Sequence, residues 1–178
     1  MQIKETKVTR LCHEKTILAV NGQFPGPTIY ARTGDVVVVN VYNQGNKNIT
    51  LHWHGVDQPR NPWFDGPEYI TQCPIQPGAN FTYRIIFSEE EGTVWWHAHS
   101  DFDRATVHGA IVLHPKRGSA YSYTKQHKEM PIILGTCIWI IWIFSTAMNC
   151  MHSTTGSEIL QSFDLNAWLG ILQASGGM

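Results

Sequence analysis

Two short patterns constrain this chain more than anything else in it: His52-Trp53-His54 and His97-Ala98-His99. Each falls in a stretch that reads as a β-strand, residues 49–56 and 93–99. Side chains two apart on a strand share a face, with Cα atoms about 6.5–7 Å apart. Trp53 must then point the other way, into a core, and Ala98 is small enough to pack with little demand on its surroundings. The spacing is wide for two imidazoles on one ion and suits two histidines reaching neighbouring ions. Two such strands side by side would set four imidazoles on one wall. Imidazole accepts Cu, Zn, Fe and Ni, so ligand type alone does not choose the metal, and tetrahedral zinc stays open. Taken singly, either pair also reads as an ordinary polar strand edge.

The rest of the first 115 residues supplies a frame of strands and turns. Residues 16–20 end at Asn21-Gly22, a turn signal, and Phe24-Pro25-Gly26-Pro27 is a rigid loop before a short strand at 28–31. The run 36–42, VVVVNVY, is the composition expected of a strand covered on both faces. Residues 57–78 form a Pro- and Gly-rich loop long enough to suggest a function of its own. Further strands are expected at 81–87 and 106–114. Many short strands and no convincing helix predict an all-β antiparallel sandwich or barrel. With 43% hydrophobic and 15% charged residues a core can be built. The net charge of −1, with no basic stripe, argues against a nucleic-acid partner.

The character changes near residue 130. Residues 130–157 contain no Asp, Glu, Lys or Arg, and Ile138 to Phe144 are all apolar. A membrane span needs roughly 20 apolar residues, and Pro131, Gly135, Thr136 and Asn149 weaken this one. Ile159, Leu160, Phe163, Trp168 and Leu172 recur at roughly helical spacing, so a short amphipathic helix is expected there. The chain thus divides into a β domain over 1–135 and an apolar, partly helical tail over 136–178.

The four cysteines, Cys12, Cys73, Cys137 and Cys150, form no CxxC pair, which removes a zinc ribbon or a thioredoxin-like redox pair. Two N-glycosylation sequons, Asn48-Ile49-Thr50 and Asn80-Phe81-Thr82, together with an even cysteine count, lean towards an exported protein. The first residues carry no apolar signal core.

The stretches flanking the histidines narrow the choice. Leu51-His52-Trp53-His54-Gly55-Val56, then Asn61-Pro62-Trp63-Phe64-Asp65-Gly66-Pro67 and Thr71-Gln72-Cys73-Pro74-Ile75, resemble the first copper signature of plant laccases. Trp95-Trp96-His97-Ala98-His99-Ser100 with Arg104-Ala105-Thr106-Val107-His108-Gly109-Ala110 is similar to their second, and residues 20–27 resemble the family's opening strand and loop. The resemblance runs from about Gln2 to Gly135.

It implies a cupredoxin-like Greek-key sandwich, the first of three such domains in a multicopper oxidase. By resemblance, His52 is a type 2 copper ligand and His54, His97 and His99 are type 3 ligands, half of a trinuclear site completed by another domain. The implied activity is oxidation of phenols, as in lignin metabolism, coupled to reduction of oxygen to water, by a protein secreted to the apoplast. Asp65 matches an acid near that cluster and reads either as a proton donor or as a turn former in Asp-Gly-Pro. His13, His108, His114 and His127 fall outside the matched ligand positions and read as structural or surface histidines. The resemblance also implies that Cys12 and Cys73 bond to the other domains.

Beyond Gly135 no family pattern is recognised, and a frame change, retained intron or wrong gene model would account for that. No type 1 copper site is expected, because Cys150-Met151-His152 imitates only part of one. The chain alone is expected to be inactive and to need the missing domains or a partner chain. The alternatives are a non-catalytic copper- or zinc-binding module, and a non-functional truncated product with a membrane-seeking tail.

Overall fold

The structure, a computed structural model, describes residues 1–10, 12–121, 124, 128–133 and 171–173. Ten strands are described in chain order: β1 (Gln2–Arg10), β2 (His13–Val20), β3 (Ile29–Arg32), β4 (Val36–Asn43), β5 (Leu51–His54), β6 (Asn80–Ile86), β7 (Gly92–Ala98), β8 (His108–His114), β9 (Pro131–Ile133) and β10 (Ile171–Gln173). Short 3₁₀ turns lie at Pro62–Phe64 and Asp103–Ala105, and no α-helix occurs among the described residues. The second turn explains why the last long strand starts at His108 and not at Thr106: the Thr106 and Val107 N–H groups both donate back to the Asp103 carbonyl.

Two four-stranded sheets, β2-β1-β4-β6 and β3-β8-β7-β5, make the sandwich expected of a cupredoxin-like fold. Most pairings are antiparallel, but β1 runs parallel to β4 and β3 parallel to β8, which is what crossing between sheets requires. The inner faces meet in a core of Ile3, Val41, Trp53, Tyr83, Ile85, Phe87, Trp96 and Ile111, none with exposed surface. Tyr83 of β6 ties the sheets together. Its ring packs edge-on against Trp53 at 5.2 Å, and its hydroxyl accepts the Leu51 N–H at 3.0 Å. An aromatic placed this way fills volume and also satisfies a backbone donor. Trp96 fills the other end. Its Nε1–H donates to the Pro27 carbonyl at 3.0 Å, and a Cβ added at Gly109 would lie 2.7 Å from its ring.

Two expectations need correction. The valine-rich strand β4 is not covered on both faces. Its residues alternate between exposed and buried, and Val36, Val38 and Tyr42 stand on the outside at 45, 59 and 47% exposure. The cause is topological: β4 lies between β1 and β6 in a sheet whose second face has nothing packed on it among the described residues. The expected helix in the tail also fails at its one described position. Leu172 lies in β10, paired antiparallel with Ile132 of β9. An edge strand such as β9 offers unpaired backbone groups, and a passing segment can satisfy them by extending. Ile159, Leu160, Phe163, Trp168 and most of the apolar run lie outside the described residues. Among the described residues no helix is long and apolar enough to cross a membrane.

Candidate metal centre

The histidine wall is a consequence of strand register. β5 and β7 are antiparallel neighbours with His52 opposite His97 and His54 opposite Trp95. Directly opposed residues point to the same face, and so do residues two apart. His52, His54 and His97 therefore converge, while Trp53, Trp96 and Ala98 turn into the core with no exposed surface. His99 lies one residue past the end of β7. Its N–H donates to the Thr50 carbonyl at 3.0 Å, and the Thr50 N–H donates to Ser100 Oγ at 3.1 Å, so the pairing continues by one step through a side chain.

The His52 ring centroid is 5.6 Å from His54, 5.3 Å from His97 and 5.6 Å from His99. Donor atoms of His52, His54 and His97 all lie within 4.8 Å of one another. Two nitrogens on one ion, each bound at about 2.0–2.1 Å, can be about 4.2 Å apart at most. The rings lean together more than the strand spacing suggested, so the three suit one ion after small ring rotations as well as two neighbouring ions. His99 is outside this tight trio, stacked at 6.2 Å from His97.

What the wall can hold follows from its nitrogens. His52 Nδ1–H donates to the Asp65 carbonyl at 2.8 Å, which leaves Nε2 as the lone-pair nitrogen. His97 is tied in the same way, Nδ1–H to the Ala98 carbonyl at 2.9 Å. Its Nε2 is buried and has no hydrogen-bond partner among the described residues. Ligating histidines commonly donate their second nitrogen to a carbonyl, which fixes the tautomer and the ring plane. Burial, with smaller contributions from His52, His54 and His99, pushes the His97 pKa down to about 3, against the pull of its bond to Ala98. Burial and then His52 lower that of His54. His97 is thus a neutral, desolvated lone pair with nothing to bind among the described residues. This set of imidazoles fits copper, and equally the other metals that imidazole suits.

Asp65 stands where the sequence placed it, beside the wall. Its carboxylate Oδ1 is 3.3 Å from His52 Nδ1, and its carbonyl accepts the hydrogen bond from that nitrogen. The long loop earns its length here by folding back on β5. The Trp53 Nε1–H donates to the Phe64 carbonyl at 2.9 Å. Gly66, at φ +102°, passes so close that an added Cβ would lie 1.8 Å from the Leu51 carbonyl oxygen. Only glycine allows both that conformation and that approach.

His108 is opposite His97 on β8 and buried, with Nδ1–H donating to the Arg104 carbonyl at 2.7 Å and Phe24 packed edge-on. Burial lowers its pKa. It remains outside the tight trio, as does His114, which stacks on Tyr30. The side chains of His13 and His127 lie outside the described residues. Cys12 and Cys73 are exposed and form no disulfide among the described residues.

Sequence reasoning passed over one residue of the site, Trp95. Its indole lies 4.2 Å from the His97 imidazole and 5.6 Å from His54. The signal was available, because Trp95 is two before His97 and so must share its face.

A family model described as multicopper oxidase matches residues 2–118. The chain is 74% identical over 133 residues to laccase-21 of Oryza sativa subsp. japonica, covering 75% of this chain and 23% of that protein. It is 53% identical over 178 residues to laccase-14 of Arabidopsis thaliana, covering 96% of this chain and 30% of that protein. The second alignment continues past Gly135, where no family pattern was expected. The chain spans about a quarter of the length of these relatives. Among solved structures the laccase of Botrytis aclada aligns with a TM-score of 0.60 at 30% identity, covering 64% of this chain and 22% of that one. Register, neutral histidines and these likenesses agree: the chain belongs to the multicopper oxidase family and is similar to plant laccases over part of their length.

Proposed function

We propose that this chain contributes one histidine wall of a trinuclear copper site, with His52 a type 2 ligand and His54, His97 and His99 type 3 ligands. The observation that carries the reading is the buried, unpartnered His97 Nε2 beside the donor atoms of His52 and His54. A desolvated lone pair without a partner is costly unless something binds it. Copper, when bound, supplies the one-electron chemistry that couples oxidation of phenolic substrates to reduction of oxygen to water.

The chain's own residues hold and orient. Asp65 and Ala98 fix the His52 and His97 tautomers through their carbonyls. The Asp65 carboxylate, beside His52, is placed to hold a proton near the site. Thr50 and Ser100 keep His99 in line with the strand. His54 and His99 are exposed, which suits a second set of imidazoles brought by a further domain of the kind the longer relatives have room for. Cys12 and Cys73 would then bond to those domains, and the working protein would act outside the cell.

Equilibrium dialysis against copper, followed by oxygen uptake with a simple phenol, tests this reading. The expected result is copper held by the wild-type chain, lost in H52A and H97A, with no oxygen uptake by the chain alone. Uptake abolished by the same substitutions would mean that copies of the chain assemble a working centre between them. Copper retained by both variants would place the metal elsewhere. Zinc and copper held equally well, with no gain in copper retention when the missing domains are supplied, would favour a simple metal-binding module.

A further inference from the structure

Among the described residues the outward side of β4 is left uncovered. On the outer side of β4, Val36, Val38 and Tyr42 are exposed. Antiparallel register sets Tyr42 opposite Asn80, Asn40 opposite Thr82 and Val38 opposite Arg84. Opposed residues share a face, with Cβ atoms about 4.5–5.5 Å apart. Asn80 and Thr82 are the ends of the sequon Asn80-Phe81-Thr82, and both are exposed, while Phe81 between them turns inward and packs at 4.7 Å from Tyr83. The sequon therefore opens onto the same surface as the bare tyrosine and valines. The other sequon sits differently. In Asn48-Ile49-Thr50, Ile49 and Thr50 have no exposed surface, and the Thr50 backbone is engaged by Ser100 and His99 beside the histidine wall.

We infer that Asn80 is an N-glycan acceptor and that its first sugars lie over Tyr42 and cover the outer face of β4. The inference rests on the export reading above. In the transfer step the Asn80 carboxamide nitrogen bonds to the anomeric carbon of a sugar carried on a lipid diphosphate. The bond from that carbon to the diphosphate breaks, the lipid diphosphate leaves, and the amide loses one proton, with no change of oxidation state. A sugar has apolar C–H faces as well as hydroxyls. Anchored directly opposite an exposed tyrosine, it can lay such a face on the ring while its hydroxyls stay in water, as amphipathic groups do over apolar surface. The outward valines become covered without any protein partner, and the glycan adds solubility to a sheet that would otherwise present β-branched residues to water.

The experiment imports the full chain into endoplasmic-reticulum membranes behind a supplied export leader. Release by peptide N-glycosidase converts each occupied Asn to Asp, which peptide mass spectrometry locates. Nitration by tetranitromethane then reports how accessible Tyr42 is. Occupancy is expected at Asn80, abolished in N80Q and T82A and kept in T82S. Tyr42 nitration should run about threefold slower in the glycosylated chain than in N80Q. Enzymatically deglycosylated wild-type protein gives the same comparison if N80Q does not fold. A lumenal chain with Asn80 unmodified, including one modified only at Asn48, overturns the site. An occupied Asn80 with unchanged Tyr42 nitration overturns the covering. Because the leader is supplied, the natural protein staying inside cells would count against export alone.

Discussion

The two sheets of this sandwich reverse what their compositions suggest. β4 is valine in five of its eight positions, yet one of its faces is open to water. β7 and β8 carry His97 and His108 in place of an unbroken apolar run, yet residues 95–98 and 108–113 are all buried. The difference lies in what covers each second face. Among the described residues nothing covers the outward side of β4, where Val36, Val38 and Tyr42 are exposed. The site sheet has the cross-strand histidines and Trp95, with the loop 62–66 pinned over β5 by the Phe64 and Asp65 carbonyls and by Gly66. An apolar strand is therefore not evidence of double burial, and a histidine within a strand is not evidence of exposure. Burial follows from position in the sheet and from what the loops do.

The comparison is broken most severely by cutting into the site sheet. Trp96 has no exposed surface, packs against Gly26 and Gly109, and satisfies its Nε1–H at Pro27. Trp96→Ala leaves a large cavity and removes that bond, and should cost about 3–5 kcal/mol by chemical denaturation. A cost near 1 kcal/mol would show that β7 is not the rigid support described.

A second test uses acidity. The His97 pKa falls to about 3 in the folded chain through burial, against about 6.5 unfolded. Across that window the unfolded chain binds more protons. Stability is then full above about pH 6.5 and is lost as pH falls towards 3. At pH 5 the loss from this group should reach about 2 kcal/mol, read from denaturation midpoints of the metal-free protein. His97→Leu should flatten that pH dependence, and an unchanged slope in the variant would assign it to other groups.

His97→Leu also separates function from stability at neutral pH. Removing a buried, unpartnered nitrogen should stabilise the metal-free chain by about 1 kcal/mol while lowering copper affinity at least tenfold. Destabilisation would mean that the ring's contacts with Trp95 and its hydrogen bond to the Ala98 carbonyl outweigh its unsatisfied nitrogen.

Much of this was legible in the sequence. The i, i+2 rule placed Trp53 inward and both histidine pairs outward, and the turn residues marked most strand boundaries within two or three positions. Register was not legible. Nothing local dictates that His52 meets His97, because that depends on where β5 docks along β7. The Asp65 carbonyl as partner of His52 was equally hidden, since backbone groups leave no mark in a residue pattern. The open face of β4 was missed for the same reason: an apolar run records what a strand tolerates and not what lies across from it. Leu172 shows the limit from the other side, its helical spacing overridden by a strand edge that needed pairing.

The smallest predicted effect tests the open face most directly. Val38 and Val41 lie three apart on β4 and face opposite ways, Val38 at 59% exposure and Val41 at none. Valine to threonine keeps the shape and adds a hydroxyl. At Val41 that hydroxyl must be buried among Ile3, Ile85 and other core residues, and Val41→Thr should cost about 1–3 kcal/mol. At Val38 it meets water on a surface free of special backbone features, and Val38→Thr should change stability by no more than about 0.5 kcal/mol in unglycosylated protein. Chemical denaturation of the two variants in parallel reads the difference, because strand, residue type and substitution are shared. If Val38→Thr costs as much as Val41→Thr, the outer sheet is covered in solution by protein, and the contrast between the two sheets fails at its base.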